Sequence, residues 1–224
     1  MTRRALLVHG LSSDSSSWWR VRTALEADGW DVVAPDLLGH GGRPASSDYS
    51  LAAYAGDLPT GPWDAVIGHS LGGAATVLAA QRSGFARRIV LLDPVLEVRA
   101  EDEAATIADQ ISELTLDEAS IAAAKPHWHE RDREAKLRGV RTVDPAAVER
   151  SFTDNRPWDV TEAARSLATP VLVLMGDPSV YTMLDPATAA TLPAEVRVVA
   201  GAGHAPHRDR PAETLAAIRS FLAG

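Results

Sequence analysis

The sequence predicts an α/β fold in which helices flank a mostly parallel central sheet of about six strands. Short runs rich in Val, Ile and Leu recur along the chain, and most are continuous rather than alternating, as in strands that are covered on both faces. Stretches with helical spacing, such as 71–80 and 215–222, separate the runs. Because strands that alternate with helices pair in parallel, one parallel sheet follows. The six runs are 5–8, 31–34, 65–67, 88–92, 171–174 and 196–199.

The alternation of strands and helices stops between Asp93 and Pro170. This segment is rich in Ala, Glu, Asp and Arg, has helical patterning and offers no convincing strand. In parallel α/β sheets the site lies at the carboxyl ends of the strands, so an insertion that leaves one strand end covers that site. We therefore expect residues 94–165 to form an inserted helical lid within a single domain of residues 1–224. A small helical domain unrelated to the site is the alternative.

Composition and charge exclude several functional classes. The 224 residues, of which 46% are hydrophobic, can bury one sizeable core. A net charge of −8 leaves no basic face for a nucleic-acid backbone, and the absence of cysteine excludes disulfides and thiolate metal sites. No signal peptide and no membrane-spanning stretch is visible. We expect a cytoplasmic protein whose partner is a small molecule rather than nucleic acid or a membrane, with no indication of its oligomeric state.

Residues 65–75 carry the pattern G-x-S-x-G, in which a strand runs directly into a helix through Gly68, Ser70 and Gly72. On so tight a turn the serine hydroxyl is exposed, and side chains at the two glycine positions would collide with neighbouring backbone. The free N–H groups at the start of the helix help stabilise negative charge on a bound carbonyl oxygen. We predict that Ser70 is a nucleophile, because an ordinary glycine-rich turn does not account for the strand, turn and helix together.

A serine hydroxyl is a weak nucleophile until a base removes its proton, and seven histidines are available for that role. His204 is the best placed, since it lies in Gly201-Ala-Gly-His204 just after the last predicted strand. His207, three residues further along, is the local rival. Three others are interpreted as structural, in a loop, in a polar turn, and beside Ser70 with a side chain that points elsewhere: His9, His40 and His69.

The base in turn needs a carboxylate that fixes its tautomer and stabilises the imidazolium formed during the reaction. Two aspartates follow predicted strands. Asp177 follows the run 171–174, and Asp93 follows the run 88–92. We favour Asp177, because the expected order along the chain is nucleophile, acid and base after successive strands. Asp93 is kept as the alternative, and otherwise ends its strand before the lid.

An oxyanion hole requires two backbone donors. The amide of Leu71, directly after Ser70, is predicted to be one of them. The other is expected from the loop after the first strand, where Gly10 lets the backbone approach the substrate and the amide of Leu11 can point inward.

Four segments in this order resemble the α/β-hydrolase superfamily, namely Val8–Leu11, Pro35–Gly41, Gly68–Gly73 and Gly201–His204. The resemblance implies a mostly parallel sheet with a helical cap between two late strands. It also implies Ser70 as nucleophile, His204 as base and the amides of Leu11 and Leu71 as oxyanion donors. Family members often carry the acid as G-x-x-D after the penultimate strand, a position that is Ser179 here, so Asp177 has to substitute for it.

We accordingly predict a serine-dependent acyl hydrolase that acts on a small carboxylic ester, thioester or lactone through an acyl-enzyme on Ser70, without cofactor or metal. The same machinery serves some carbon–carbon bond hydrolases, and a non-catalytic receptor of the same fold that only holds a small ligand is the alternative of another class. A serine rather than an aspartate at position 70 argues against the epoxide-hydrolase and dehalogenase branches, which resemble this fold but use a carboxylate nucleophile.

The segment 125–130 of the lid contains two histidines and a carboxylate close together, which suggests a metal site only at first sight. His127 and His129 are two residues apart, so on a helix they face different directions, and no H-E-x-x-H pattern is present. We expect a lid helix with a buried Trp128 instead. Trp18 and Trp19 could border an acyl pocket, but at least one of them is expected to pack the first helix on the sheet.

Overall fold

The computed structural model describes residues 2–224, which form a parallel sheet with helices on both faces. The strands in the sheet follow the order β2-β1-β3-β4-β7-β8, and every neighbouring pair is parallel. The predicted six-stranded sheet is confirmed, since each of the six apolar runs overlaps one of these strands. The strands within the described residues are β1 (Arg3–Val8), β2 (Trp30–Val33), β3 (Ala65–His69), β4 (Ile89–Leu92), β5 (Glu97–Val98), β6 (Trp158–Asp159), β7 (Val171–Met175) and β8 (Glu195–Val198).

The helices follow the alternation that the sequence predicts outside the segment between β4 and β7. A short 3-10 helix at Ser15–Trp18 leads into the first α-helix. The α-helices are α1 (Trp19–Ala27), α2 (Leu51–Asp57), α3 (Leu71–Ala79), α4 (Ala100–Glu113), α5 (Glu118–Ala124), α6 (Glu130–Thr142), α7 (Pro145–Thr153), α8 (Thr161–Arg165), α9 (Pro186–Ala189), α10 (Pro206–Asp209) and α11 (Pro211–Ala223). None of the helices within residues 2–224 is long and apolar enough to cross a membrane.

The continuous apolar runs arise because each central strand is covered on both sides. Side chains alternate between the two faces of a strand, so Leu6 and Val8 of β1 pack into one apolar cluster with α2 and α3. Ala5 and Leu7 pack into the other cluster with α1 and α11. Complete burial of an aliphatic side chain of this size contributes about 1.5–3 kcal/mol, and these two layers fix the positions of the strand ends.

The insertion, which we define as residues 94–165, leaves the sheet after β4 and returns before β7. Helices α4–α7 make up most of it, and α6 rests on the loop after β1, where a Cβ on Gly139 would lie 2.6 Å from the Cα of Ser13. The expectation of no strand in this segment is wrong in one detail, because β5 and β6 form a two-stranded antiparallel pair. Two residues per strand are too few to produce an alternating pattern.

The parallel arrangement brings several predicted site residues to one edge of the sheet. The carboxyl ends of parallel strands meet at the same edge, which is where ligands bind in open α/β sheets. Ser70 follows β3, Asp93 follows β4, and His204 lies in the loop beyond β8. The loop after β1 and the loop after β7 end at the same edge.

Candidate active site

Ser70 occupies the sharp turn between β3 and α3. Its φ of 54° and ψ of −123° are a strained conformation for a residue with a side chain, and such strain costs about 1–3 kcal/mol. Two backbone hydrogen bonds hold the turn, from the Ser70 amide to Leu92 O at 3.2 Å and from the Gly73 amide to Ser70 O at 2.9 Å. These hydrogen bonds hold the strained backbone of Ser70 and therefore keep its hydroxyl in a fixed position.

The two glycines of the turn are required by close backbone approach. A Cβ on Gly68 would lie 2.6 Å from the carbonyl oxygen of Gly72. A Cβ on Gly72 would lie 2.3 Å from the carbonyl oxygens of Val8 and His9. The collisions that the sequence predicts at both positions are confirmed, because β1 and α3 press against each other at this point.

His204 lies between Ser70 and a carboxylate. The Ser70 hydroxyl donates to Nε2 of His204 at 2.9 Å, and Nδ1 of His204 donates to Oδ2 of Asp93 at 2.6 Å. An ionised carboxylate only accepts hydrogen bonds, so the proton of the neutral imidazole sits on Nδ1 and Nε2 is free to accept from the serine. This arrangement is the one required for a histidine that removes the serine proton.

Asp93 is fully buried and held by several donors besides His204. The amide of Gly176 donates to its Oδ1 at 3.0 Å, the amide of Met183 donates to Oδ2 at 2.9 Å, and the hydroxyl of Thr182 donates to Oδ1. Burial raises the pKa of Asp93, but the hydrogen bond from His204 and the donors of Met183 and Thr182 outweigh it, so this pKa lies below 3.8. The carboxylate therefore stays ionised at neutral pH.

The prediction that Asp177 partners His204 is wrong. The side chain of Asp177 accepts from the amide of Ser179 at 2.9 Å, from its hydroxyl at 2.7 Å and from the amide of Gly201 at 2.8 Å. These bonds tie the loop after β7 to the loop after β8 and use up both carboxylate oxygens. Asp93 instead turns toward His204 directly after β4, where its φ of 38° bends the chain.

His69 and His207 lie close to His204 but bond elsewhere. Nε2 of His69 donates to the carbonyl oxygen of His204 at 2.8 Å, which fixes the backbone of the candidate base. The ring of His207 stacks on Trp18 at 5.0 Å between ring centroids, so this rival base does not reach Ser70. Burial lowers the pKa of both His69 and His207 well below 6.5, so two neutral rings neighbour His204.

The predicted structural roles of two further histidines agree with their contacts. Nδ1 of His9 donates to Gly10 O at 2.8 Å, and its Nε2 accepts from the amide of Leu37 at 3.0 Å, so His9 joins the loop after β1 to the loop after β2. His40 is buried rather than in a polar turn, and burial lowers its pKa to about 3.

The amides of Leu11 and Leu71 are the predicted oxyanion donors, and both residues border the same cavity as Ser70. Leu71 is the first residue of α3, so its N–H has no acceptor in the preceding turn. A Cβ on Gly10 would lie 2.9 Å from the Cβ of Ser70, which shows how closely the loop after β1 approaches the serine. Neither the Leu11 amide nor the Leu71 amide donates a hydrogen bond within residues 2–224. Both are available to a carbonyl oxygen of a bound molecule.

A cavity of about 340 Å³ opens beside Ser70 and His204. Its volume is within the range of small-molecule sites. The insertion provides apolar walls through Phe152 and Trp158, and the loop after β7 provides Tyr181 and Met183. The charged and amide side chains that border this cavity are Asp109, Gln110, Glu113, Lys125 and Lys136 of the insertion and Arg208 of α10. A neighbouring cavity of about 460 Å³ between α4 and residues 181–188 shares Thr106, Asp109, Tyr181 and Met183 with it but does not border Ser70.

The tryptophan and histidine side chains of this part of the insertion make structural hydrogen bonds rather than pointing toward one common metal site. Trp128 is buried, as the sequence predicts, and its Nε1 donates to Asp209 Oδ1 at 2.6 Å. Nε2 of His127 donates to the same oxygen at 2.9 Å. His129 caps α6, with Nδ1 accepting from the amide of Arg131 at 3.2 Å. The two histidines thus point in different directions.

Trp18 and Trp19 both serve packing. Trp18 is fully buried against the sheet. Trp19 donates from Nε1 to Oδ1 of Asp132 at 2.7 Å, which connects α1 to α6 of the insertion. Neither residue borders the cavity beside Ser70.

Comparison with known proteins agrees with the fold. Esterase YbfF of Escherichia coli K12 is 28% identical over 97% of this chain and 92% of its own length. Lipase LipV of Mycobacterium tuberculosis is 37% identical over 101 residues, which are 42% of this chain and only 38% of LipV. Among solved structures, an esterase from Exiguobacterium antarcticum superposes with a TM-score of 0.81 and 14% identity over 99% of this chain and 92% of its own.

The family assignment follows from a match over nearly the whole length of the sequence. Residues 5–218 match the alpha/beta hydrolase family. This range contains every strand of the sheet except the first two residues of β1, and it contains Ser70, Asp93 and His204. The chain therefore belongs to the α/β-hydrolase family.

Proposed function

We propose that the protein is a serine-dependent acyl hydrolase that cleaves small carboxylic esters through an acyl-enzyme on Ser70. The observation that carries this proposal is the continuous hydrogen-bonded connection from the Ser70 hydroxyl through His204 to the buried Asp93. In the proposed roles, Ser70 is the nucleophile, His204 the base and Asp93 the group that orients it. The amides of Leu11 and Leu71 form the oxyanion hole.

The reaction proceeds in two halves. Nε2 of His204 takes the proton of Ser70 while Oγ attacks the ester carbonyl, and the resulting oxyanion is stabilised by the Leu11 and Leu71 amides. His204 then gives the proton to the leaving alcohol, which leaves an acyl group on Ser70. A water molecule, deprotonated by the same nitrogen, attacks the acyl group and releases the acid.

The insertion acts in this proposal as a lid over the acyl group. Helices α4, α6 and α7 contribute cavity walls, and Phe152 and Trp158 supply the apolar surface that excludes water from the serine. The name of esterase YbfF, which aligns with 97% of this chain, favours an ester over other acyl bonds. Thioesters and lactones present the same carbonyl chemistry and belong in the same substrate panel.

Labelling with a fluorophosphonate tests the mechanism, because this probe reacts only with an activated serine. We expect the wild-type chain to be labelled and Ser70→Ala to remain unlabelled. Equal labelling of the two proteins, or no labelling of either, would contradict the proposal and favour a non-catalytic binder.

Hydrolysis of a panel of p-nitrophenyl esters, thioesters and lactones then tests the bond type. We expect release of p-nitrophenol from short-chain esters by the wild type and background rates in Ser70→Ala. A labelled protein that hydrolyses no acyl compound of the panel, but cleaves a carbon–carbon bond next to a carbonyl, would replace ester hydrolysis by the carbon–carbon reaction.

A further inference from the structure

Arg208 is a buried cation at the wall of the cavity that also contains Ser70. It lies on α10, four residues after His204, and only 6% of its surface is exposed. The cavity beside Ser70 is bordered by Arg208 together with Ser13 and Trp128. The guanidinium group lies between these two neighbours, with Cζ 5.1 Å from the centroid of the Trp128 ring and Nη2 3.3 Å from Oγ of Ser13.

The guanidinium has no counterion within the described residues. No carboxylate oxygen of residues 2–224 lies within 4.0 Å of it, and its buried Nε has no hydrogen-bond partner there. Burying a charge without a paired group is costly, so proteins rarely leave an arginine in this state. A contact with a tryptophan face and one long bond to a serine hydroxyl compensate only part of that cost.

The four carboxylates whose charges act on Arg208 are each bonded to other groups. Their charges act on Arg208 from a distance, but each makes its hydrogen bonds with other groups: Asp14 with Arg138, Asp132 with Trp19 and Arg20, Glu113 through Oε2 with Lys136, and Asp209 with Trp128, His127 and the amide of Gly203. The guanidinium therefore remains the unpaired charge of this region.

The cavity lining as a whole contains more basic than acidic side chains, although the chain carries a net charge of −8. Lys125, Lys136 and Arg208 border it, opposed by Glu113 and by the exposed Asp109. Lys136 is paired with Glu113, and Lys125 lies 4.0 Å from Asp209. An anion that enters the cavity thus meets one cation that no protein group neutralises.

We propose that Arg208 binds a carboxylate group of the substrate, so that the acyl compounds cleaved at Ser70 also carry a free acid group. This inference rests on the proposed function and names its substrate class, the half-esters of small dicarboxylic acids. The planar guanidinium suits a carboxylate, which can accept two parallel hydrogen bonds from it. Ser13, which contacts Arg208, lies two residues after Leu11, so the bound carboxylate sits next to the oxyanion loop. Water and a half-ester yield the dicarboxylic acid and an alcohol.

The test compares each half-ester with a neutral partner of the same size. Monomethyl succinate, glutarate and adipate are paired with the methyl esters in which an amide replaces the free carboxylate. The measured quantity is the ratio of the two kcat/KM values. We expect at least one pair to favour the half-ester about tenfold or more, because a hydrogen bond to a charged group outweighs a neutral one by that factor.

Substitution of Arg208 links that preference to its charge. Arg208→Met, which keeps the length of the side chain, is expected to lower the ratio about tenfold or more, and Arg208→Lys to lower it less, because lysine keeps the charge without the paired donors. Arg219→Met is the control, since Arg219 is an exposed residue of α11 that pairs with Asp28, and its ratio should equal that of the wild type.

A wild-type ratio near one for all three pairs would overturn the inference. So would equal loss of both substrates in Arg208→Met, which would indicate that Arg208 only braces Trp128. Calorimetry with Ser70→Ala separates this question from the hydrolytic mechanism. Binding of glutarate but not of glutaramide to Ser70→Ala, lost on adding Arg208→Met, supports the carboxylate site even if fluorophosphonate labelling fails. Labelling without any such binding preserves the proposed function and rejects the carboxylate site.

Discussion

The sheet core, which comprises residues 2–93 and 166–224, and the insertion at residues 94–165 differ in how completely their elements are buried. Strands β4 and β7 are buried along their whole length, and apolar side chains alternate between two layers of helices. Helix α4 of the insertion, in contrast, contains no buried residue. The insertion is attached partly through apolar side chains such as Phe152 and Trp158, which pack into the cluster that contains Leu6 and Val8, and partly through polar bonds such as the 2.7 Å ion pair of Arg138 with Asp14.

The candidate chemistry is divided in the same way. Ser70, Asp93, His204 and the amides of Leu11 and Leu71 all belong to the sheet core, whereas the insertion supplies only cavity walls. Strand ends held between two apolar layers keep reacting groups in place, and a helix without buried residues, such as α4, can change its cavity-facing side chains at little cost to folding. Substitutions in the sheet core should therefore change kcat or unfold the chain, and substitutions in the insertion should change KM.

Asp93→Asn should have the largest effect on turnover. An asparagine keeps the size of the side chain but favours the wrong tautomer of His204, so kcat should fall about 10⁴-fold. Asp177→Asn is the matched control at the end of another strand, and its kcat should stay within about twofold of the wild type because Asp177 is a partly exposed turn residue. Steady-state kinetics of both variants on one ester show which aspartate orients His204. Loss of turnover in Asp177→Asn alone would restore the sequence prediction.

Replacement of one glycine by alanine in each region tests how rigidly the sheet core and the insertion are held. In Gly72→Ala the new Cβ meets two carbonyl oxygens of the β1 end at 2.3 Å, and rigid backbone on both sides has to move. We expect the free energy of unfolding to fall by about 3 kcal/mol. In Gly139→Ala the Cβ meets Ser13 Cα at 2.6 Å, and α6 can shift away from the loop, so unfolding should change less while KM rises.

Denaturant unfolding and ester kinetics on both glycine variants give the result. The expected pattern is a stability loss for Gly72→Ala that exceeds that of Gly139→Ala, with the larger change in KM in the second. Equal losses of stability with no change in KM would mean that the insertion is as rigidly fixed as the sheet core.

The features that depend on local sequence could be predicted, and those that depend on loop direction could not. The six apolar runs, the turn at Ser70 and the position of His204 each follow from a few adjacent residues. Asp93 and Asp177 both follow buried strands, so strand position alone does not distinguish them. The choice depends on where each carboxylate turns, toward His204 from a backbone with φ of 38° or toward the amide of Gly201.

Arg208 was missed for a related reason. In the sequence it is one basic residue among several in the segment after His204, and nothing local marks it as buried. Its environment comes from Trp128 and Ser13, which are distant in sequence and meet it only in the folded chain. The short strands β5 and β6 escaped detection because a pair of residues carries no periodicity.

Acid should destabilise the sheet core through its buried histidines. Burial lowers the pKa of His40 to about 3, whereas in the unfolded chain the value is near 6.5. Below about pH 6.5 the unfolded state therefore binds a proton that the folded state does not, so this contribution to stability is complete above pH 6.5 and is lost as pH falls. The loss is about 1.4 kcal/mol per pH unit for one group, and His9, His69 and His207 shift in the same direction.

Denaturant melts of His40→Asn and the wild type measure this effect. The variant keeps a donor for Leu38 O but cannot be protonated, so its stability should fall about 1.4 kcal/mol less per pH unit between about pH 6 and about pH 4. Above about pH 7.5 the two curves should run parallel. Equal slopes below pH 6 would show that His40 is protonated in the folded chain.

The smallest expected effect concerns the attachment of the insertion to α1. Asp132→Asn keeps an acceptor for Trp19 but removes the charge that pairs with Arg20 at 3.0 Å. Because Asp132 is buried while Arg20 is a quarter exposed, the free energy of unfolding should fall by about 1–2 kcal/mol. KM should nevertheless rise, since Asp132 positions α6, whose Lys136 borders the cavity. Asp28→Asn breaks the exposed pair with Arg219 and should cost about 0.5 kcal/mol without changing KM. If both variants leave KM unchanged, the position of α6 does not control the substrate site.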